Sequence, residues 1–343
     1  MTIITWPVVV TIAAGIALAA AVICYLLLLL LRPVLQRYAL ALPNARSSHK
    51  TPTPQGAGIG VIAATIIVTL ATALRAGFLD DPSLWIVLAA AAGIAIVGAA
   101  DDIAQLGVVP RLILQGVAVA AVLVALPADV RVVPLLPFWI ERVLLGVGAL
   151  WFVNLTNFMD GIDWITAAET IPITLFLLAI STFGGPSDLE ISVALALCGA
   201  MLGFAPLNKP VAKMFLGDVG SLAIGLLLAW MLIALAGRGH IAAALLLPLY
   251  YLADATVTLG RRMVRGEQFW VAHRTHFYQR ATQNGLTVMQ IVTRIFAVNI
   301  VLGVLALASV YWTGIAVQIA TLAVGGALVA ALLYSFASGR KAA

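Results

Sequence analysis

The sequence predicts an all-α polytopic membrane protein of about eleven transmembrane helices. Three observations carry that prediction. Of 343 residues, 63% are apolar and only 10% are charged, against roughly half and a quarter in soluble domains. Mean hydropathy is +1.10. The apolar residues fall in runs of membrane-spanning length, where every backbone polar group must be paired internally and the chain must therefore be helical. A disordered chain is excluded, and a soluble globular enzyme is disfavoured. An outer-membrane barrel is disfavoured, because its alternating strands give a much weaker hydropathy signal.

Eleven runs are expected as helices: 4–31, 58–74, 84–100, 112–127, 138–155, 165–183, 190–207, 219–236, 241–259, 289–311 and 314–336. Ten is the alternative count. No Lys or Arg precedes the first run, and its length of about 28 residues exceeds a signal-peptide core. Several later runs are short and rich in Ala and Gly, which suits close helix packing. Cys24 and Cys198 lie within runs and read as small packing residues. The whole chain, 1–343, reads as one membrane domain, with no internal repeat and no soluble appendage. The longest polar stretches are 32–57 and 260–288.

Basic residues orient the bundle. With the N-terminus outside and the C-terminus cytoplasmic, 15 of the 19 Lys and Arg fall inside and only Arg75, Arg131, Arg142 and Arg238 remain outside. Net charge +5 and a pI near 9.5 then follow from a basic cytoplasmic face beside anionic lipid, with no nucleic acid required.

The scarce acids gather at the same ends. Asp101, Asp102, Asp160, Asp163 and Asp218 fall at the cytoplasmic ends of runs. Carboxylates at a membrane surface are costly and tend to mark function. Several together need protons or a divalent cation, and Mg²⁺ is commonly shared between carboxylates and substrate phosphates. In Gly98-Ala-Ala-Asp101-Asp102 the adjacent acids point about 100° apart on a helix, so one can face a metal and the other a proton or a basic group. Asn154-Leu-Thr-Asn157-Phe-Met-Asp160-Gly-Ile-Asp163 is dense in oxygen donors. If helical, its Asp160 and Asp163 share a face. Asn208-Lys-Pro-Val-Ala-Lys-Met-Phe215-Leu-Gly217-Asp218 sets an Asp at a helix start, as an anion-favouring terminus or a simple cap. His273, Arg274, His276 and Arg280 supply opposite charge. On a helix, His273, His276 and Arg280 would share a face able to meet a diphosphate. The loop 46–58 reads equally as a phosphate-touching loop or as a rigid basic turn.

These motifs together resemble those of the polyprenyl-phosphate N-acetylhexosamine-1-phosphate transferases, a family including bacterial undecaprenyl-phosphate GlcNAc-1-phosphate transferases and phospho-MurNAc-pentapeptide translocases. The matching stretches are RSSHKTPTPQGAG at 46–58, GAADD at 98–102, NLTNFMDGID at 154–163, NKPVAKMFLGDVGS at 208–221, DATVTLGRR at 254–262 and HRTHFYQR at 273–280. The core of the likeness is about 46–294. The resemblance implies a multi-pass enzyme of the bacterial inner membrane with a cytoplasmic active site. Its substrates would be a UDP-sugar and undecaprenyl phosphate, its products an undecaprenyl-diphosphate-sugar and UMP, and its role the initiation of a cell-surface polysaccharide such as O-antigen. It further implies Mg²⁺, with Mn²⁺ as the alternative, held by Asp218 and Asp163. Asp101 corresponds to the residue that deprotonates or orients the lipid phosphate, supported by Asp102, and Asp160 joins this catalytic set. Asn208 and Phe215 match uridine-holding positions. His273, Arg274 and His276 match the diphosphate-binding motif, and Lys50 and Asn157 complete the substrate-binding set. A homodimer is compatible with the resemblance.

Two departures stand out. Trp164 follows Asp163 where the family usually has glycine, and HRTHFYQR lacks a run of three histidines. The second departure favours the polysaccharide-initiating branch over the peptidoglycan branch. Two rival readings stay open at this point: phospho-MurNAc-pentapeptide transfer, and a secondary transporter using intramembrane carboxylates.

Overall fold

The computed structural model describes residues 6–41, 52–267 and 274–338. Among these residues the chain forms thirteen helices and one small strand pair. In order they are α1 (Trp6–Tyr38), β1 (Leu40–Ala41), β2 (Thr53–Pro54), α2 (Gly58–Ala76), α3 (Pro82–Ala104), α4 (Val108–Val124), α5 (Phe138–Met159), α6 (Ile165–Ser181), α7 (Asp188–Asn208), α8 (Asp218–Gly237), α9 (Ile241–Leu246), α10 (Leu249–Val264), α11 (Phe277–Gln283), α12 (Val288–Tyr311) and α13 (Ile315–Ser338). Eight helices are long and apolar enough to cross a membrane, and α4 and α6 are shorter apolar helices.

Ten of the eleven expected runs appear as single helices. The ninth, 241–259, does not: it is split into α9 and α10 around Leu247 and Pro248. Proline lacks the N–H and crowds the preceding turn, so an apolar run containing it need not be one helix. The first helix also continues past the expected limit of 31 to Tyr38. A short antiparallel pairing, Leu40 with Pro54 and Ala41 with Thr53, closes the loop that follows it.

Local sequence sets several helix starts. Asp81 accepts the Ser83 N–H ahead of Pro82 at the head of α3. Ser187 with Glu190 and Thr287 with Gln290 form reciprocal capping boxes on α7 and α12. Each such cap contributes about 1 kcal/mol. Glu190 also takes both Nη groups of Arg238, at 2.5 and 2.9 Å, which ties the head of α7 to the tail of α8.

The core centres on α8, buried along almost its whole length and packed against α2, α3, α5 and α9. Small residues let these helices approach. A Cβ on Gly98 of α3 would stand 2.3 Å from the Asp218 carbonyl oxygen at the head of α8. Lipid offers no strong hydrophobic drive between helices, so such close backbone packing carries much of the association. Both cysteines, Cys24 and Cys198, are free and buried.

Replacing Gly98 with valine is expected to push α3 off α8, at a cost of about 1–3 kcal/mol. The readout is a lowered unfolding midpoint of the detergent-solubilised protein; an unchanged midpoint would contradict the contact.

Candidate active site

The acidic end of the bundle is assembled from four separated segments. Residues 53–58 run along the FLGD stretch: Phe215 donates its N–H to Pro54 O, and Phe215 O accepts the N–H groups of Gly56 and Ala57. This docking places the Gln55 side chain against Asp102, to whose Oδ1 its amide donates at 2.5 Å. Asp102 also accepts the Asp218 N–H at 3.0 Å on Oδ1 and the Val219 N–H at 3.3 Å on Oδ2. The last turn of α3 thus caps the first turn of α8. Gly217, at φ +77°, admits this arrangement, because a Cβ there would sit 2.5 Å from Asp102 Oδ2. A carboxylate at a helix N-terminus is favoured by the free N–H groups and the helix dipole.

Asp101 points elsewhere. Its Oδ2 accepts from Arg111 Nη1 at 2.7 Å, and its Oδ1 accepts the Leu106 N–H at 2.7 Å. The Asp218 carboxyl interacts with the charges of Asp102 and Asp101 and with the Asn157 amide. Asn157 in turn donates to Ser221 Oγ at 2.9 Å. Two ionised carboxylates about 4 Å apart repel by roughly 4 kcal/mol at an effective dielectric near 20. Arg111 already meets the charge of Asp101, so Asp218 is the member of the pair that calls for a proton or a further cation. The described residues contain no group of three or more His, Cys, Asp or Glu side chains arranged to hold a metal. A pair of carboxylates still fits the mode in which Mg²⁺ takes one or two protein oxygens and completes its shell with water and phosphate.

Asp160 and Asp163 do not share a helix face, contrary to the expectation for a helical segment. α5 ends at Met159, and Asp160 is its C-cap. Asp160 accepts from the Thr166 hydroxyl at 2.5 Å. Burial pushes its carboxyl up to about 7, the charges of Asp102 and Asp163 push the same way, and the Thr166 hydrogen bond opposes them. Asp163 is buried and accepts the Ala212 N–H at 3.0 Å.

Asn208 acts here as a brace, its Oδ1 accepting the Trp164 N–H at 2.7 Å and its Nδ2 donating to Met214 O at 3.0 Å. The Phe215 ring is half-buried beside it. Trp164 has a left-handed backbone, φ +65°, which accounts physically for glycine being the usual residue at this place in the motif. Its indole N–H is held by Ala205 O at 2.6 Å.

The basic motif is also built differently from expectation. Lys50 and His273 lie outside the described residues. His276 does not sit on a helical face with Arg280, because α11 begins at Phe277 with His276 as its N-cap. Asp254 forces that start: fully buried, it accepts the N–H groups of Phe277 and Tyr278 at 2.9 and 3.1 Å, the Tyr250 hydroxyl at 3.1 Å and the Thr258 hydroxyl at 3.3 Å. His276 Nδ1 lies 3.3 Å from the same carboxylate. Arg280 stacks its guanidinium on Phe277, while Arg274 is half-buried. Tyr278 donates to Phe158 O at 3.1 Å, and this joins the basic motif to the end of α5.

Sequence reading passed over Gln55, Arg111 and Tyr278 as site-building residues and left Asp254 without a role. Gln55 lies within RSSHKTPTPQGAG and Arg111 is one of the basic residues on the cytoplasmic side, but neither shows its tertiary partner in the sequence.

The pattern of glycosyl transferase family 4 matches residues 84–236, a stretch that runs from α3 to α8 and includes Asp101, Asp102, Asn157 and Asp218. The chain is 26% identical to the probable undecaprenyl-phosphate N-acetylglucosaminyl 1-phosphate transferase of Bacillus subtilis (strain 168), over 84% of this chain and 83% of that protein. It is 32% identical to the decaprenyl-phosphate N-acetylglucosaminephosphotransferase of Mycobacterium leprae (strain TN), over 63% of this chain and 59% of that protein, so the match spans less than two thirds of the mycobacterial relative. A phospho-N-acetylmuramoyl-pentapeptide-transferase of Granulibacter bethesdensis is 29% identical over 78% of this chain and 82% of its own length. The family pattern thus covers the helices that carry the acidic centre, and the chain is similar to polyprenyl-phosphate hexosamine-phosphate transferases, which supports a sugar-phosphate transferase.

Proposed function

We propose that this enzyme transfers a HexNAc-1-phosphate from a UDP-sugar to undecaprenyl phosphate at the cytoplasmic face of a bacterial inner membrane, releasing UMP and initiating a cell-surface polysaccharide. The observation that supports this reading best is the Asp101–Asp218 carboxyl pair at the head of α8. A pair of like charges there suits a divalent cation and phosphate substrates better than it suits an isolated cap.

Phosphoryl transfer asks a protein mainly for positioning and charge neutralisation. Asp218 and Asp101 would hold Mg²⁺, which supplies neutralisation of the diphosphate charge when bound. Asn157 orients the Asp218 carboxyl. Asp101, paired with Arg111, sits where a carboxylate can orient an incoming lipid phosphate. Asp102 is a positioning residue: it accepts from the Gln55 amide and from the backbone N–H groups that start α8. Arg274 and the α11 start, anchored by Asp254, bring positive charge toward the same end.

The direct test mixes purified enzyme, Mg²⁺ and undecaprenyl phosphate with a panel of UDP-HexNAc donors and UDP-MurNAc-pentapeptide, and measures UMP. A UDP-HexNAc donor should release UMP only with the lipid present, and chelation should abolish turnover until Mg²⁺ or Mn²⁺ is returned. Asp218→Ala and Asp101→Asn should each lower turnover at least ~100-fold, roughly 2.7 kcal/mol of transition-state stabilisation, with normal protein yield. Near-normal turnover in both variants would remove the pair from the mechanism.

Asp160 makes a pH prediction. An acid whose folded pKa is raised from 3.8 to about 7 keeps its proton in the folded state while the unfolded chain has lost it. Its contribution therefore lowers stability progressively as pH rises from about 4 to 7, with no further change above that. In metal-free buffer, Asp160→Asn should flatten the fall in unfolding midpoint across this window. A slope identical to that of the unsubstituted protein would contradict the assignment.

A further inference from the structure

A second site lies at the other end of the bundle. Ser83, near the head of α3, is roughly 27 Å from Asp101 at 1.5 Å per helical residue. There α4 and α5 diverge around a cavity of about 770 Å³. Gly116, Val119 and Leu123 of α4 face Val143, Gly146 and Val147 of α5 across it. It extends from Gly116 to Pro127, roughly 16 Å along the helix direction. Val124, Trp139 and Val147 at its margin are exposed, so it opens onto the surface that meets lipid.

Arg142 is the charged residue in this apolar wall. It is 8% exposed. Its Nη2 donates to the carbonyls of Pro127 and Val130, both at 3.1 Å, and its guanidinium lies 4.9 Å over the Phe138 ring. Its Nε and Nη1 have no hydrogen-bond partner among the described residues. The neighbouring Glu141 lends Arg142 its charge, while its oxygens accept from Arg131 and from the N–H groups of Val132 and Val133. A buried cation with two unmet donors is costly until an anion meets it. A guanidinium fork matches phosphate oxygens in geometry as well as charge.

We infer that this slot binds one anionic phospholipid, its chain lying between α4 and α5 and its phosphate on Arg142. The long apolar slot with a cation at one end has the polarity of a lipid, and its opening faces the membrane that would supply one. The inference does not depend on the reaction proposed above.

Native mass spectrometry of the full-length protein in mixed micelles with equimolar phosphatidylglycerol and phosphatidylcholine tests it. The protein should retain one phosphatidylglycerol with a preference of about fivefold or more, equivalent to one added charge-assisted contact. Arg142→Gln should bring that preference close to parity. Gly116→Leu and Gly146→Leu fill the slot without touching the guanidinium. A Cβ at Gly116 meets nothing within 4 Å, and one at Gly146 meets only Leu123 at 3.5 Å. Both variants should lose the bound lipid, and they carry the test if Arg142→Gln does not fold. Undiminished preference in folded Arg142→Gln, undiminished retention in the filled variants, equal retention of both lipids by the unsubstituted protein, or a dimer that the filled variants dissociate while no lipid is bound would each overturn it.

Discussion

The Asp102 carboxylate receives hydrogen bonds from residues 47 and 116 positions away in the chain, Gln55 and Asp218. This contact fixes where the last turn of α3 meets the first turn of α8, and the rest of the acidic end follows from it. With Asp102 turned toward the α8 backbone, Asp101 on the next position points about 100° away, toward Arg111 and the Asp218 side chain. The close approach at Gly98 and the left-handed Gly217 are the steric conditions that let the cap form.

The same device recurs across the site. Asp254 caps α11 from α10, and Asn208 accepts the Trp164 N–H at the head of α6. In each case a polar side chain from one segment starts a helix in another. Buried backbone donors at a helix head must find acceptors somewhere, and here the acceptors staple distant motifs together. A loop-built site at one end of a helix bundle gains rigidity this way.

Much of the bundle was legible because run length in hydrocarbon is a strong constraint. The runs 58–74, 165–183 and 219–236 became Gly58–Ala76, Ile165–Ser181 and Asp218–Gly237. The ninth run failed where Pro248 interrupts an otherwise apolar stretch that carries no polar signal of a break. At the site, the divergence of Asp101 and Asp102 followed from helix geometry alone, but their partners did not, since Arg111 and the α8 backbone are tertiary neighbours. Helical spacing misled at His273, His276 and Arg280, because Asp254, 23 residues before Phe277, decides where that helix begins. Asp160 and Asp163 do not share a helix face because α5 stops at Met159, one position before Asp160 and four before Asp163, and the following turn belongs to the brace that Asn208 makes with Trp164.

The central claim is that the Asp102-held head of α8 presents Asp101 and Asp218 as a paired carboxylate site for a divalent cation in the presence of a nucleotide diphosphate. Its most direct test is an electron paramagnetic resonance titration of Mn²⁺ into purified enzyme with UDP present. The account predicts saturable binding of one ion that is lost in Asp218→Asn, lost in Asp101→Asn and weakened in Asp102→Ala. Binding of equal strength in Asp218→Asn and Asp101→Asn would contradict it.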